Sequence, residues 1–171
     1  MDNLLDYLSV EVKNPGIQAK PYTVARMSDK TEGMIKEKIG LDTTGWDVKI
    51  EPRMVDHIWK RHGENGEQDH SMADVSDIAR IAYVLNDPDT LDETENSKAY
   101  KEPHQYLRGK SRGARSVLVS KKVNGTYYVI EAVPDTTKNT AYIVSAYMNK
   151  KGVAPIADNA AASPCAYVLR Q

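Results

Sequence analysis

The sequence predicts an α+β domain in which N-terminal helices pack on a small antiparallel β-sheet. Apolar side chains recur at helical spacing in residues 28–85, whereas in residues 116–147 they recur with a period of two. A chain of 171 residues with 40% apolar content is long enough to bury one sizeable core. Because the helical segments precede the strands instead of alternating with them, we expect the helices to cover one face of an antiparallel sheet.

Three helices are expected before the period changes. The first begins after Ser28, which serves as its N-cap, and the second begins with Pro52 at its first position. Gly63 follows the second helix, and we expect it to end that helix in the left-handed conformation. The third helix is predicted over residues 72–85, with Ser71 as its N-cap. Each of the three helices has one apolar face that can lie against the sheet.

Three strand-like runs follow, and they predict an antiparallel meander. Asn124-Gly125 separates the first two runs, and this dipeptide between alternating apolar segments is the strongest short signal for a hairpin. The short run DVKIE, at residues 47–51, also alternates and predicts a strand ahead of the second helix. The runs of the meander span about residues 116–123, 126–133 and 140–147.

The two ends of the chain carry weaker patterns than the predicted domain at residues 28–150. Residues 1–27 have no sustained period and are interrupted by NPG, so we predict an irregular or partly ordered lead-in, with a short helix at residues 3–8, whose deletion is tolerated. Residues 151–171 contain two prolines and an alanine run, which predict a mostly irregular C-terminal arm. No stretch has the roughly 20 apolar residues that span a bilayer, and the first residues lack the pattern of a signal peptide, so no membrane contact is expected.

Positive charge is concentrated in one segment, although the net charge of the chain is only −1. Residues 98–122 contain eight lysines or arginines against one glutamate, interleaved with tyrosines and a histidine. This composition is typical of a loop that contacts nucleic-acid phosphates, and the alternative is a loop that is only solvated. The side chains expected to contact RNA are Arg108, Lys110, Arg112, Arg115 and Lys121.

Several classes of enzyme site are not supported by the sequence. It contains no G-x-S-x-G nucleophile elbow, no P-loop, no G-x-G-x-x-G and no H-E-x-x-H. Cys165 is the single cysteine, which excludes an internal disulfide and a zinc site built from cysteines. We therefore predict neither a cofactor nor a metal.

Three of the four histidines lie in HIWKRHGENGEQDHS, residues 57–71. His57 and His62 are five positions apart, so on an ideal helix they point roughly 140° away from each other and only one of them can face the sheet. We prefer His57, because it shares a helix face with Arg61. The alternatives are a histidine that caps the helix or packs in the core, and a metal site assembled from the acidic residues that follow.

Two histidines and an arginine around one helix end suit the metal-free cleavage of RNA. The 2′-hydroxyl of RNA is a built-in nucleophile, so the protein needs a base for this hydroxyl, an acid for the leaving 5′-oxygen and cations for the charge that develops on phosphate. Histidine fits the first two roles and lysine or arginine the third. Serine and tyrosine hydroxyls can donate further hydrogen bonds to the same oxygens.

The order of the elements resembles a known nuclease superfamily. GLDTTGWDVKIEPRMVDHIWKRHGE, the helix ending in NDPDTL, VLVSKKVNGTYYVIEAV and TAYIVSAYMNK together resemble the phage-associated branch of the barnase/EndoU/colicin/RelE-like nucleases. These domains are found at the C-terminal end of phage head-morphogenesis proteins and of polymorphic toxins. The resemblance covers residues 28–150 and implies a metal-independent RNase with helices on a small antiparallel sheet.

The resemblance also implies roles for particular residues. The final strand of the family has the pattern T-x-Y, and here it has Ser145-Ala146-Tyr147, which keeps a hydroxyl at the first position. Glu131 is either a general base, as in some relatives, or a charge on an edge strand, and the latter is the preferred interpretation. The implied acid/base candidates are His57 and His62. The implied phosphate binders are Arg61 and Lys122, and the implied hydroxyl donors are Ser145 and Tyr147.

Two hypotheses from different classes result. The preferred one is an endoribonuclease, a toxin or effector that leaves a 2′,3′-cyclic phosphate and has RNA as substrate and an immunity or antitoxin protein as a further partner. It would act in the cytoplasm, or be delivered into a target cell as part of a larger secreted or phage protein. The alternative is a non-catalytic RNA- or protein-binding module of a phage-derived protein, which needs the basic segment but not the histidines.

Overall fold

One mixed β-sheet organises the chain in the computed structural model, which describes residues 3–94 and 116–149. Within these ranges the strands are β1 (Tyr22–Arg26), β2 (Asp47–Ile50), β3 (Thr90–Thr94), β4 (Ser116–Val123), β5 (Thr126–Asp135) and β6 (Thr140–Asn149). The predicted basic segment, apart from its last residues, and the predicted C-terminal arm lie outside the described residues.

The strands are arranged in the order β1-β2-β6-β5-β4-β3. Strands β3 to β6 are antiparallel neighbours in chain order, so the predicted meander is confirmed and β3 extends it. Asn124 and Gly125 have φ angles of 50° and 80°, as a tight hairpin turn between β4 and β5 requires. Strand β2 pairs in parallel with β6, but only as far as Ile50 and Ile143.

Helices pack on one face of this sheet and confirm the α+β class. In the described residues they are α1 (Leu4–Lys13), α2 (Asp29–Ile39), α3 (Pro52–His62), α4 (Val75–Ala79) and α5 (Ile81–Asn86). Their apolar side chains form one core with β-strand residues such as Val119, Ile130 and Ala146. Helix α3 begins with Pro52 and buries Val55 and Ile58, as its sequence predicts.

The lead-in at residues 1–27 is more regular than predicted, because the helix expected over residues 3–8 continues to Lys13 and a strand follows it. Asn3 caps helix α1, Leu8 is completely buried in the main core, and β1 is the first strand of the sheet. The apolar face of α1 repeats every four residues at Leu4, Leu8 and Val12, but one short helix before NPG gives too few repeats for its full length to be predicted. Deletion of this segment would remove part of the core and expose β2.

Two details of the predicted helices also differ. The third helix is two short helices, α4 and α5, which meet at Arg80, and its N-cap is Asp74 in a reciprocal capping box with Asp77. Ser71 is not the cap. Gly63 has φ −70° and ψ −171°, so it ends α3 in an extended and not in a left-handed conformation.

The two faces of the meander differ in character. Alternation in β4 directs Val117 and Val119 to the helical core, whereas Leu118 packs with Val129 and Tyr147 in a second cluster. We call the side of the sheet that carries this second cluster the second face.

Candidate active site

Helix α3 meets the last strand of the sheet, β6, at His62. It is the final residue of α3, and its side chain is 0% exposed. Its ring stacks on that of Tyr147 in β6, with 5.6 Å between centroids and 29° between planes. Its Nδ1 lies 2.9 Å from Oδ2 of Asp69. A histidine, a carboxylate and a phenol are thereby brought into one cluster.

The chain reverses sharply after His62, and glycine makes this possible. The N–H of Gly63 donates to the carbonyl of Trp59 at 2.8 Å. A Cβ at Gly63 would lie 2.5 Å from that carbonyl oxygen and 2.6 Å from the Trp59 ring, so no larger residue fits without a shift. The carbonyl of Arg61 then accepts hydrogen bonds from the N–H groups of Gln68 and Asp69. The returning loop is therefore held against the helix end, where Asp69 reaches His62.

The same loop is tied to the last strand. Oδ1 of Asp69 accepts a hydrogen bond from the N–H of Ser71 at 2.8 Å. The hydroxyl of Ser71 accepts one from the N–H of Met148 at 3.1 Å. Because β2 pairs only with the first half of β6, this loop occupies the edge of β6 beside Tyr147. The position of His62 is thus determined by the loop that carries Asp69 and by the strand that carries Tyr147.

Burial lowers the pKa of both helix histidines. For His62 the desolvation of the imidazolium is the largest effect, and Asp69 opposes it. The pKa of His57 falls to about 4, first because of burial and then because of the positive charge of Arg61. Both rings are therefore favoured in the neutral form near pH 7, in which one nitrogen can accept a proton.

The strand register places several of the predicted residues on the second face. Ser145 lies opposite Glu131, and Tyr147 lies opposite Val129 two positions further along β6. Side chains two positions apart in a strand share a face, so the predicted common face of Ser145 and Tyr147 agrees with the register. Glu131 and Ser145 are 7% and 3% exposed, respectively, which places both next to the second cluster and away from bulk water.

The interpretation of Glu131 as a charge on an edge strand is wrong. Strand β5 is interior, between β4 and β6, and Glu131 is buried. Burying a carboxylate in a central strand is costly unless other groups compensate.

The contact with the sheet that the sequence predicts for His57 is made by His62, and which of the two histidines takes part in catalysis stays a prediction. His57 is half-buried on another side of α3, whereas His62 is the histidine that contacts the sheet, because the helix ends there and the chain turns back. Arg61 lies beside it with Nη1 3.5 Å from Glu67. Lys122 is exposed at the turn end of the same face as Ser145, with its Nζ 5.7 Å from the centre of the Tyr127 ring.

Lys121 lies on the helical side of the sheet, where acidic residues pair with it, and its contact with RNA stays a prediction. Its Nζ lies 2.8 Å from Asp87 and 3.4 Å from Asp89, and it stands over the Tyr83 ring at 5.4 Å. Alternation along β4 gives neighbouring lysines opposite faces, and the acidic residues after α5 pair with Lys121. The other predicted RNA contacts, Arg108, Lys110, Arg112 and Arg115, lie outside the described residues.

Asp69 is the site residue that sequence reasoning missed. The sequence places it only among the acidic residues of an alternative metal site, and the described residues contain no group of three potential metal ligands. Its local signal is weak: Asp69 accepts from the N–H two residues later, which is a common turn of aspartate. Nothing in the linear spacing of seven residues indicates its contact with His62.

Helices on one face of an antiparallel meander, with a histidine packed against its last strand, define a domain of the barnase-like nuclease class. A family model described as phage-Barnase-EndoU-ColicinE5/D-RelE like nuclease3 matches residues 26–154, and the chain belongs to this family. The resemblance predicted from sequence is thereby confirmed, and membership of a nuclease family implies a nucleic acid as substrate. No curated protein and no solved structure matches the chain. None of the helices in the described ranges combines the length and apolar character needed to cross a membrane.

Proposed function

We propose that this chain is a metal-independent endoribonuclease that cleaves RNA through the 2′-hydroxyl. The observation that carries the proposal is the contact between His62 and Tyr147, on the sheet face that also holds Ser145 and Glu131. This arrangement offers a neutral imidazole, a carboxyl group and two hydroxyls within one small region. These are the groups that proton transfer at a phosphodiester requires.

The reaction proceeds by transesterification. A base removes the proton of the 2′-hydroxyl, the 2′-oxygen forms a bond to phosphorus, and the bond from phosphorus to the 5′-oxygen breaks as an acid protonates that oxygen. The products are a 2′,3′-cyclic phosphate and a free 5′-hydroxyl. His62 supplies one of the two proton transfers. Ser145 and Tyr147 donate hydrogen bonds to the phosphate oxygens, and Arg61 and Lys122 provide the positive charge.

Glu131 is the better candidate for the second proton transfer. It lies diagonally across the strand pair from Tyr147, and diagonal neighbours of this kind are about 7–8 Å apart. His57 is the competing candidate, but its ring lies on another side of α3 from the His62 contact. The two possibilities differ in the variant that loses activity, Glu131→Gln or His57→Ala.

Full burial of His62 means that RNA reaches its ring only after neighbouring groups move. Such gating is common in enzymes that exclude water from their sites. A purely structural His62 would instead stabilise the fold without contacting substrate. The two cases are separable, because a structural role predicts that activity falls only in proportion to the folded fraction.

The test is cleavage of a labelled RNA in EDTA by the wild type and single variants. We expect His62→Gln and either Glu131→Gln or His57→Ala to lower kcat by about 10²- to 10⁴-fold each while RNA binding is retained. His70→Ala is the matched control, since His70 is exposed in the same loop. Cleavage at a 2′-deoxy scissile nucleotide, or loss of wild-type cleavage in EDTA, would overturn the mechanism. RNA binding without cleavage would favour the non-catalytic module.

We further propose that the activity serves as a toxin or effector, in the cytoplasm or after delivery into a target cell. The support is the family description, which groups this chain with phage and colicin nucleases. Induced expression of the wild type should stop growth and fragment cellular RNA, whereas His62→Gln should do neither. A co-expressed immunity protein that restores growth would identify the expected partner.

A further inference from the structure

The two oxygens of the Asp69 carboxylate have different partners. Oδ1 accepts the N–H of Ser71 at 2.8 Å, and Oδ2 lies 2.9 Å from Nδ1 of His62. The backbone bond fixes the orientation of the carboxylate, since Ser71 is itself anchored to β6 through Met148. The face of the imidazole ring stacks on the ring of Tyr147. The orientation of the imidazole is thus set by two independent contacts.

A carboxylate accepts hydrogen bonds and donates none, so the nitrogen facing it has to carry the proton. A neutral imidazole has a single N–H, and the other nitrogen then carries the lone pair. We propose that Asp69 is a positioning residue that holds His62 in the Nδ1–H tautomer, so that Nε2 is the atom that exchanges a proton with RNA. This inference rests on the proposed function for the identity of the reaction, but the tautomer itself does not depend on it.

The carboxylate has a second effect when the ring takes up a proton. Burial of His62 opposes the imidazolium, and the negative charge of Asp69 compensates part of that cost. The positive charge of Arg61 acts in the opposite direction and lowers the pKa of His62, while Tyr147 contacts the imidazole through its ring. Asp69 thus offsets part of the local positive charge around His62.

Replacement of Asp69 by asparagine tests the inference directly. An amide can turn its NH₂ group toward Nδ1, which favours the opposite tautomer and places the proton on Nε2. We expect Asp69→Asn to lower kcat by up to about 10⁴-fold with little change in KM, which is the loss seen when the orienting aspartate of a Ser-His-Asp triad is replaced by asparagine. Asp69→Glu keeps the carboxylate and should recover part of the activity. Glu64→Gln, an exposed change in the same loop, should leave kcat within about 2-fold of the wild type.

Nitrogen-15 NMR of the imidazole gives a readout that needs no activity. The signals of His62, assigned by their loss in His62→Gln, should show the Nδ1–H tautomer in the wild type and the Nε2–H tautomer in Asp69→Asn. A wild-type ring in the Nε2–H tautomer would overturn the inference, even if Asp69→Asn failed to fold. If Asp69→Asn changed the tautomer but cleaved RNA normally, the positioning role would also be refuted. If the wild type showed the Nδ1–H tautomer but cleaved no RNA, only the proposed function would fail.

Discussion

The hydroxyl of Ser71 accepts a hydrogen bond from the backbone N–H of Met148, which lies 77 positions further along the chain. Met148 follows Tyr147 directly, so this bond fixes the loop after α3 next to the strand residue on which His62 stacks. The bond also satisfies a backbone donor at the edge of β6, beyond the last residue that β2 pairs with. It therefore connects the stability of the sheet edge to the geometry of the candidate site.

Ser71→Ala should lower both stability and activity. Removing the acceptor leaves the N–H of Met148 without this bond, which costs about 1 kcal/mol of unfolding free energy. Activity should fall further than the small loss of folded protein explains, because Asp69 and His62 lose an anchor. Urea unfolding and kcat measure the two effects. Ser76→Ala, at an exposed helix position, is the control. It should change the free energy of unfolding by no more than about 0.5 kcal/mol and leave kcat close to the wild-type value. Equal effects of the two changes would contradict the anchoring role.

Alanine substitutions at two glycines should have opposite effects. Gly63→Ala places a methyl group 2.5 Å from the Trp59 carbonyl, so we expect a loss of about 1–3 kcal/mol and displacement of His62. Gly33 lies within helix α2 with nothing within 4 Å of an added Cβ, and Gly33→Ala should stabilise by about 0.5–1 kcal/mol. Thermal unfolding of both variants checks this contrast. A neutral Gly63→Ala variant would show that the chain reversal relaxes easily.

Asp56→Asn should stabilise the protein at neutral pH. The pKa of Asp56 rises from 3.8 to about 6 because of burial and then because of Glu11, which also hydrogen-bonds it. Glu11 accepts the N–H groups of Gly16 and Gln18 through its two carboxylate oxygens, and Asp56 is the partner whose pKa is raised. Since the folded pKa is raised, the wild type loses stability as the pH rises from about 4 to above 6.

The variant removes this charge but keeps a donor toward Glu11. After allowance for solvent screening, we expect a gain of about 1 kcal/mol at pH 7.5 and almost none at pH 4. Denaturant unfolding at both values provides the measurement. Glu64→Gln, at an exposed position, should show no such pH-dependent gain. A gain of the same size at pH 4 would exclude the carboxyl pair as its cause.

Asp87→Asn should lower the free energy of unfolding near neutral pH and leave it unchanged near pH 2. Hydrogen bonds from Lys121 and then from Lys30 lower the pKa of Asp87 from 3.8 to about 2. A lowered folded pKa contributes stability that is present above the unfolded value and is lost as the pH falls toward 2. Unfolding midpoints between pH 2 and pH 7 should therefore converge for wild type and variant at the acid end. Parallel curves over that range would refute this ion pair as a contributor.

The basic segment should determine how strongly RNA binding depends on salt. Neutralised phosphates release counterions, so binding should weaken steeply as salt rises, and glutamine at four positions of the segment should flatten that dependence. A control with four exposed lysines changed to glutamine elsewhere should keep the wild-type slope. An unchanged slope in the first variant would mean that the segment is only solvated. The test positions are Arg108, Lys110, Arg112 and Arg115, and the control positions are Lys13, Lys20, Lys36 and Lys138.

The sequence by itself determined the features that depend on neighbouring residues. The period of two located β4, β5 and β6, and Asn124-Gly125 located their first hairpin, because backbone conformation and side-chain alternation are local properties. Pro52 identified the start of α3 for the same reason. The common face of Ser145 and Tyr147 also needed no tertiary information, since it follows from strand geometry alone.

Only the tertiary structure decided which of these local elements meet. Leu8 is buried because α1 packs against the core, and Glu131 is interior because β5 lies between two strands, yet neither fact is present in the local pattern. The choice of His62 over His57 depended on where α3 ends and on a glycine that lets the chain reverse. The contact of Asp69 with His62 depended in turn on that reversal. A spacing along the chain fixes which side of an element a residue occupies, whereas the partner it meets there is set by the packing of distant segments.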